Sequence, residues 1–367
     1  MKHRFPIIDG DGHIFENNDS MIGFYEGPRA NKKTKSAPIF PSIDGWPRRA
    51  NNQFNDDNPN RPDHTDAAVW GAALDKFGFT ASVLFPSAGL GIGLMRDRDF
   101  CTATAIAYNN WMEATYSSRD PRLFCAGLVP LMDPAAAVAE VKRCATQRKG
   151  FACMLLPTVT SSTLAYGEEF YWPIFEEAER QNMPIALHGG SSAGFGLDHF
   201  TAFYMVHALS QPVPIFKQLT SILLSGVFDA FPRLRVVFLE AGCSWVPFMM
   251  DRLDGEYGKI YSKALRSKVK RHPSEYIRDT GNFWVSLELE EQERSLKYTL
   301  DAIGPDRIIY ASDYPHETPD NSIAGSIPEF IDNPAYSDEV KAKILGQNAM
   351  KLYNITDHGI DRSAASA

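Results

Sequence analysis

Short unbroken apolar runs recur along this chain, each followed by a segment whose apolar residues fall at three-to-four spacing. The runs are "PII" reaching Ile8, "SVLF" reaching Phe85, "CAGLVPL" from Cys125, "ACMLLP" from Ala152, "IALH" reaching His188, "VVFLE" reaching Glu240, "FWVSL" from Phe283 and "IIYAS" from Ile308. Continuous rather than alternating runs mark strands covered on both faces, as in parallel sheets. Between them, helical periodicity is predicted over Ala67–Phe77, 99–118, 133–147, 170–183, 215–231 and Val246–Tyr257, in the stretch ending at Gly304, and in an amphipathic tail over 337–355. Asp133 is placed to cap one of these helices, with Pro134 at its first position. About eight strand–helix units in 367 residues predict an α/β fold, a (β/α)8 TIM-like barrel. A doubly wound open sheet is the alternative. Such a sheet ordinarily carries a Gly-rich phosphate loop after its first strand, and "DGDGH" has the wrong chemistry for one.

The rhythm breaks over residues 23–63, which are rich in Pro, Asn, Asp, Lys and Arg. This is an insertion after the first strand: a solvated loop, or a lid or oligomer contact, because barrel loops on that side carry function. The expectation is one barrel domain over residues 1–357 and a disordered end at 358–367.

Composition narrows the function. Hydrophobic residues make up 44% of the chain, enough for a large core, and the net charge of −8 comes with Lys and Arg dispersed rather than clustered. That excludes nucleic-acid and membrane-surface partners, which reward basic patches, and leaves a small-molecule substrate. Cys101, Cys125, Cys144, Cys153 and Cys243 form no CxxC pair, as expected of reduced thiols in a cytoplasm. With no signal-peptide core and no apolar run near the roughly 20 residues of a membrane span, the expected protein is soluble, cytoplasmic and a homodimer or other oligomer.

The chemistry lies at the strand ends. The first strand supplies Asp9, Asp11 and His13, the fifth His188, the sixth Glu240, and the eighth Asp313 with His316 three residues on. In a parallel barrel these ends meet at one mouth. Asp11 and His13, two apart, point the same way on an extended strand. Two His with two or three carboxylates form a ligand set for Zn, Mn or Fe(II), and such charges would repel one another without a cation. His207, Trp245, Phe248 and Met249 read as packing residues, and Arg252 and Asp254 as surface pairs.

The motifs "IDGDGHIFE", "PIALHGG", "FPRLRVVFLEAG", "ASDYPH" and "KILGQNAMKLY" span nearly the whole chain. Through them the sequence resembles the amidohydrolase-related branch of the amidohydrolase superfamily, which includes aminocarboxymuconate-semialdehyde and resorcylate-type decarboxylases. The resemblance implies a (β/α)8 barrel with Asp11, His13, His188 and Asp313 as metal ligands, Asp313 also handling the proton of a metal-bound water. It also implies a His at the end of the sixth strand, where this chain has Glu240. The expected activity is therefore hydrolysis of a small amide, lactone or ester by a metal-activated water, with Asp313, Glu240 and His188 as catalytic residues and Glu240 or Asp313 as base. The alternative is non-oxidative decarboxylation of a small carboxylic acid. Two further alternatives are an oxygenase with a dinuclear iron or iron–manganese centre, using Glu240 and His316 for the second metal, and a non-catalytic subunit keeping a vestigial site. The expected cofactor is one divalent metal, zinc first and manganese or iron after it, with two metals in the dinuclear case.

Overall fold

The computed structural model of the chain describes residues 3–27, 38–43, 64–148, 150–190, 197, 200, 203–260, 263–316, 320–356 and 359–363. Eight parallel strands run side by side in sequence order: β1 (Ile8–Ile14), β2 (Ala81–Pro86), β3 (Leu123–Leu128), β4 (Phe151–Pro157), β5 (Ile185–His188), β6 (Val236–Leu239), β7 (Phe283–Leu287) and β8 (Ile308–Tyr310). Every residue of these eight strands is buried, as continuous apolar runs require, and helices fill the intervals between them. The nearly closed ring is the (β/α)8 TIM-like barrel expected from the sequence. Its seam, between β8 and β1, is drawn together just beyond the end of β8, where Asp313 N–H donates to Asp11 O at 3.0 Å and His13 N–H donates to Tyr314 O at 2.7 Å.

The first strand explains its own composition. Its pairing with β2 shifts register between Asp9 and Gly12. A Cβ on Gly12 would lie 2.4 Å from the Trp70 ring, and one on Gly10 would lie 2.9 Å from Tyr310 O. The glycines let neighbouring elements approach bare backbone, while the residues between them carry the chemistry.

Some helices depart from their predicted spans for local reasons. The 215–231 run divides into Pro212–Ser225 and Val227–Ala230 because Gly226 between them is left-handed, with φ of 85°. The predicted tail helix is Asp338–Ala342 and Asn348–Tyr353 joined by a π turn over Lys343–Gln347, where a Cβ on Gly346 would meet Pro6 O at 2.4 Å. The helix Asp320–Asp332 was not foreseen, since Pro328 sits inside it.

The sequence reads as a loose end after residue 357, yet part of that end docks. Gly359–Ile360 pairs antiparallel with Ile355–Thr356, and the Arg362 guanidinium donates to Phe151 O at the start of β4. Of the insertion, residues 28–37 and 44–63 lie outside the described residues. Its described part packs inward: Phe40 is buried, and Pro41 O occupies the space a Cβ on Gly91 would need. Among the described residues no helix is long and apolar enough to cross a membrane.

Candidate metal centre

The two carboxylates of the first strand separate into different roles. Asp9 is wholly buried and is a structural tie. Its Oδ2 accepts from Ser82 Oγ at 2.7 Å on β2, and its Oδ1 accepts from Ser312 N–H at 2.9 Å after β8. Burial nonetheless pushes its carboxyl up to about 7, the hydrogen bonds opposing this. Asp11, by contrast, has a buried Oδ1 with no hydrogen-bond partner. That atom lies 3.4 Å from His188 Nε2 and 3.7 Å from His13 Nε2.

The tautomers of the two imidazoles follow from their surroundings. His13 Nδ1 sits 3.1 Å from Pro86 O, and His188 Nδ1 sits 2.7 Å from Gly189 O. A carbonyl only accepts, so both Nδ1 atoms carry hydrogen and both Nε2 lone pairs face inward. Those two Nε2 atoms are 3.0 Å apart. Two lone pairs and an orphaned carboxylate oxygen converging in a wholly buried space call for a positive charge. In the metal-free protein a proton serves: burial opposes charge on His188, but the Asp11 and Glu240 carboxylates outweigh it and lift the imidazole to about 10. Burial, with His316 and His188 adding to it, holds His13 well below its ordinary value. A divalent cation would displace that proton, and all three atoms would be available to it as ligands. The residues therefore fit the metal read from the sequence.

Asp313 Oδ1 lies 3.4 Å from His13 Nε2 and is a second buried oxygen without a hydrogen-bond partner. It is not grouped with Asp11 and His188, however. The donors form two overlapping triads, Asp11–His13–His188 and His13–Asp313–His316, the atoms of each lying within 4.8 Å of one another.

Glu240 and Asp313 share an unusual backbone: φ is 63° at Glu240 and 51° at Asp313, both in the left-handed region. Such conformations persist only where the surroundings impose them. For Glu240 the imposing contacts are Ser286 Oγ, which accepts from Glu240 N–H at 3.2 Å, and the Glu291 carboxylate, which accepts from Cys243 and Ser244 N–H. So held, Glu240 Oε2 comes 3.1 Å from His188 Nδ1, off the direction of its N–H, which Gly189 O already takes. Glu240 and His316, paired in the sequence reading as second-metal ligands, thus stand against different neighbours: Glu240 against His188, His316 against Asp313. Burial pushes Glu240 well above the usual carboxylate range, with Asp313 and Asp11 adding to it against the pull of His188.

A cavity of about 430 Å³ opens beside these groups, lined by His207, Gln211, Glu240, Glu288, Glu291 and Asp313 among others. The sequence reading passed over Glu288 and Glu291. Glu288 was legible, since it follows β7 as Glu240 follows β6. Glu291 was not, because nothing along the chain shows that it grips the loop after β6. Trp245 and Met249 are buried as packing residues, whereas Phe248 is 62% exposed. Arg252 pairs with Glu256, and Asp254 accepts from Ser274.

A (β/α)8 barrel with buried His and Asp donors at the C-terminal ends of its strands is a metal-dependent barrel enzyme of the amidohydrolase kind. Residues 8–355 match the family model described as Amidohydrolase, and the chain belongs to that family. It is 26% identical over 257 residues to 2-amino-3-carboxymuconate-6-semialdehyde decarboxylase of Dictyostelium discoideum, covering 68% of this chain and 66% of that protein. It is 24% identical over 293 residues to gamma-resorcylate decarboxylase of a Polaromonas species, covering 77% and 85%. A solved structure of dihydroxybenzoic acid decarboxylase from Polaromonas, with bound manganese and the inhibitor 2-nitroresorcinol, superposes with a TM-score of 0.71 at 20% identity, covering 97% of this chain and 98% of that one. These comparisons correct the hydrolase expectation, because the relatives are decarboxylases and so match the alternative. The hydrolase expectation takes Glu240 as a base because it is a carboxylate in the place of a His; burial, which pushes that carboxyl up, works against the role.

Proposed function

We propose that this protein is a metal-dependent, non-oxidative decarboxylase of a small aromatic carboxylic acid, with manganese as its metal. The relatives named above support the reaction class. The observation that carries it in this chain is the place of Glu240: its buried Oε2 lies 3.1 Å from His188 Nδ1 at the mouth of the metal centre, and burial pushes its carboxyl towards the protonated form.

Asp11, His13 and His188 would hold the metal, with Asp313 beside His13. When bound, the metal supplies Lewis-acid binding of a substrate carboxylate and an adjacent hydroxyl. The remaining demand is a proton. The bond between ring carbon and carboxyl breaks, CO2 leaves, the electron pair stays on the carbon, and that carbon takes up a proton. A carboxyl whose proton is held more tightly through burial is suited to that donation, whereas a hydrolytic base would have to be ionised. Glu240 stands where the resemblance implies a His, and it takes the proton-donating role. His188 and Glu291 position it, one beside its carboxyl and the other through its loop. The cavity is of a size for one aromatic acid. Manganese replaces the zinc of the sequence expectation because a related structure holds it, and imidazole and carboxylate ligands suit either ion. The net charge of −8 and the acidic mouth support a small-molecule substrate rather than nucleic acid.

The test is a panel of hydroxybenzoic and related aromatic acids incubated with manganese-loaded protein, with CO2 release measured and the product made in D2O. CO2 with one deuterium on the vacated ring carbon is expected. Fully loaded protein that releases CO2 from no acid in the panel would overturn the reading.

A further inference from the structure

The cavity beside the metal centre is one-sided in charge. Five carboxyl side chains line it, those of Glu240, Glu288, Glu290, Glu291 and Asp313, and its described lining includes neither Lys nor Arg. Its one imidazole, His207, has Nε2 at 2.8 Å from Gln211 Nε2. Four of the five carboxyls have close neighbours. Glu291 accepts from Cys243 and Ser244 N–H, and Glu290 accepts from Ser322 Oγ at 2.8 Å. Glu240 stands 3.1 Å from His188, and Asp313 stands 3.4 Å from His13. Glu288 differs: among the described residues nothing donates a hydrogen bond to its carboxyl.

Glu288 is also placed where a substrate must lie. It directly follows β7, as Glu240 directly follows β6, and Asp313 comes just after β8. These three strands are neighbours in the ring, so Glu288 falls between Glu240 and Asp313 on the rim. Charge then decides what can occupy the space in front of it. A substrate carboxylate at the metal would have its charge met there. A second carboxylate would meet no cation, because Glu288 offers at best a neutral carboxyl. It would lose its hydration without a counter-charge. A protonated amine does the opposite. It brings donors to an acceptor that has none, and positive charge to a wall that lacks it.

We propose that Glu288 sets specificity by pairing with a protonated amino group, so that the substrate is an aromatic acid bearing one carboxylate and one amine. The pairing rests on the decarboxylase reading for the carboxylate and the ring, and adds the second charge.

The experiment is calorimetric titration of manganese-loaded full-length protein with 3- and 4-substituted benzoates of closely similar size, bearing an aminomethyl, a hydroxymethyl or a second carboxylate group. Wild type is expected to bind the better aminomethyl probe about 10–100-fold more tightly than its hydroxymethyl counterpart, with the dicarboxylates weakest. Glu288→Gln keeps the size of the side chain and removes its charge. It should abolish the preference for the amine while leaving metal content unchanged. An alcohol or dicarboxylate bound by wild type as tightly as the amine, no binding of any probe, or a preference that survives in Glu288→Gln overturns the proposal. The wild-type ranking decides by itself if the variant does not fold. Binding is read without turnover, so the two readings fail separately. CO2 release from aromatic acids without an amine preference removes only the role of Glu288, and an amine preference without CO2 release removes only the reaction.

Discussion

His13 and His188 meet Nε2 to Nε2 at 3.0 Å, although they come from opposite sides of the barrel, on β1 and β5. Each has its outer nitrogen committed to a backbone carbonyl, so the inner pair tolerates only a proton or a metal between them.

Metal uptake is therefore expected to release a proton. His188, lifted to about 10 in the metal-free protein, is charged at neutral pH, and the ion must displace that charge. A group protonated in the free form and deprotonated in the complex makes affinity rise with pH. The expected slope is about one tenfold step per pH unit between about pH 6 and 9. Competition with a chromogenic chelator across that range measures it, and a flat profile would contradict the geometry.

His188→Ala should lose metal and activity together. It removes one of three converging donors and leaves Asp11 Oδ1 buried with less to face. Because changes outside the ligand shell alone cost about 10–100-fold in affinity, a lost ligand should cost more. Full occupancy in the variant, by metal analysis after gel filtration, would remove His188 from the ligand set.

Glu240→Gln separates holding a metal from moving a proton. The amide preserves shape and burial but cannot give up a proton as an acid. Metal content should stay at the wild-type level while CO2 release falls by about 10²–10⁴-fold, the usual worth of a positioned acid. A parallel loss of metal would assign Glu240 to coordination instead.

Asp9→Ala tests the tie that is not a ligand. Removing the carboxylate strands the Ser82 hydroxyl and Ser312 N–H in a buried space, at about 1–3 kcal/mol for each unsatisfied group. Denaturant unfolding of the metal-free protein should show a loss of about 2–6 kcal/mol. The carboxyl of Asp9, raised to about 7 from an ordinary 3.8, binds a proton on folding. Its linkage contribution is full below about pH 4 and lost as pH rises through 7. Asp9→Asn should remove that pH dependence while costing less at pH 7 than the alanine variant.

The barrel was readable because its strands are buried on both faces, which forces continuous apolar runs such as "ACMLLP" and "VVFLE" onto the sequence. The positions of Asp11, His13, His188 and Asp313 were readable for a related reason: a polar residue ending such a run must lie at the mouth. What the chain could not show is how those residues divide. Asp9 and Asp11 look alike in "DGDGH", and only the hydrogen bonds from Ser82 and Ser312 tell the tie from the ligand. The protonation of Glu240 depends on burial created by loops far along the chain, including the grip of Glu291. His316 Nε2 lies 2.6 Å from Ser87 Oγ, 229 positions away, a pairing that no spacing along the chain shows.

The barrel seam has a consequence for how the protein comes into being. Asp11 and Asp313 are joined backbone to backbone where the ring closes, so the first and last strands complete the metal centre and the barrel in one event. During synthesis, His13 emerges early and waits through most of translation for the residues that give it a purpose. No nascent chain shorter than Asp313 carries the whole donor set. A truncated product thus lacks the Asp313 donor, and the full donor set is reserved for chains that have passed the eighth strand.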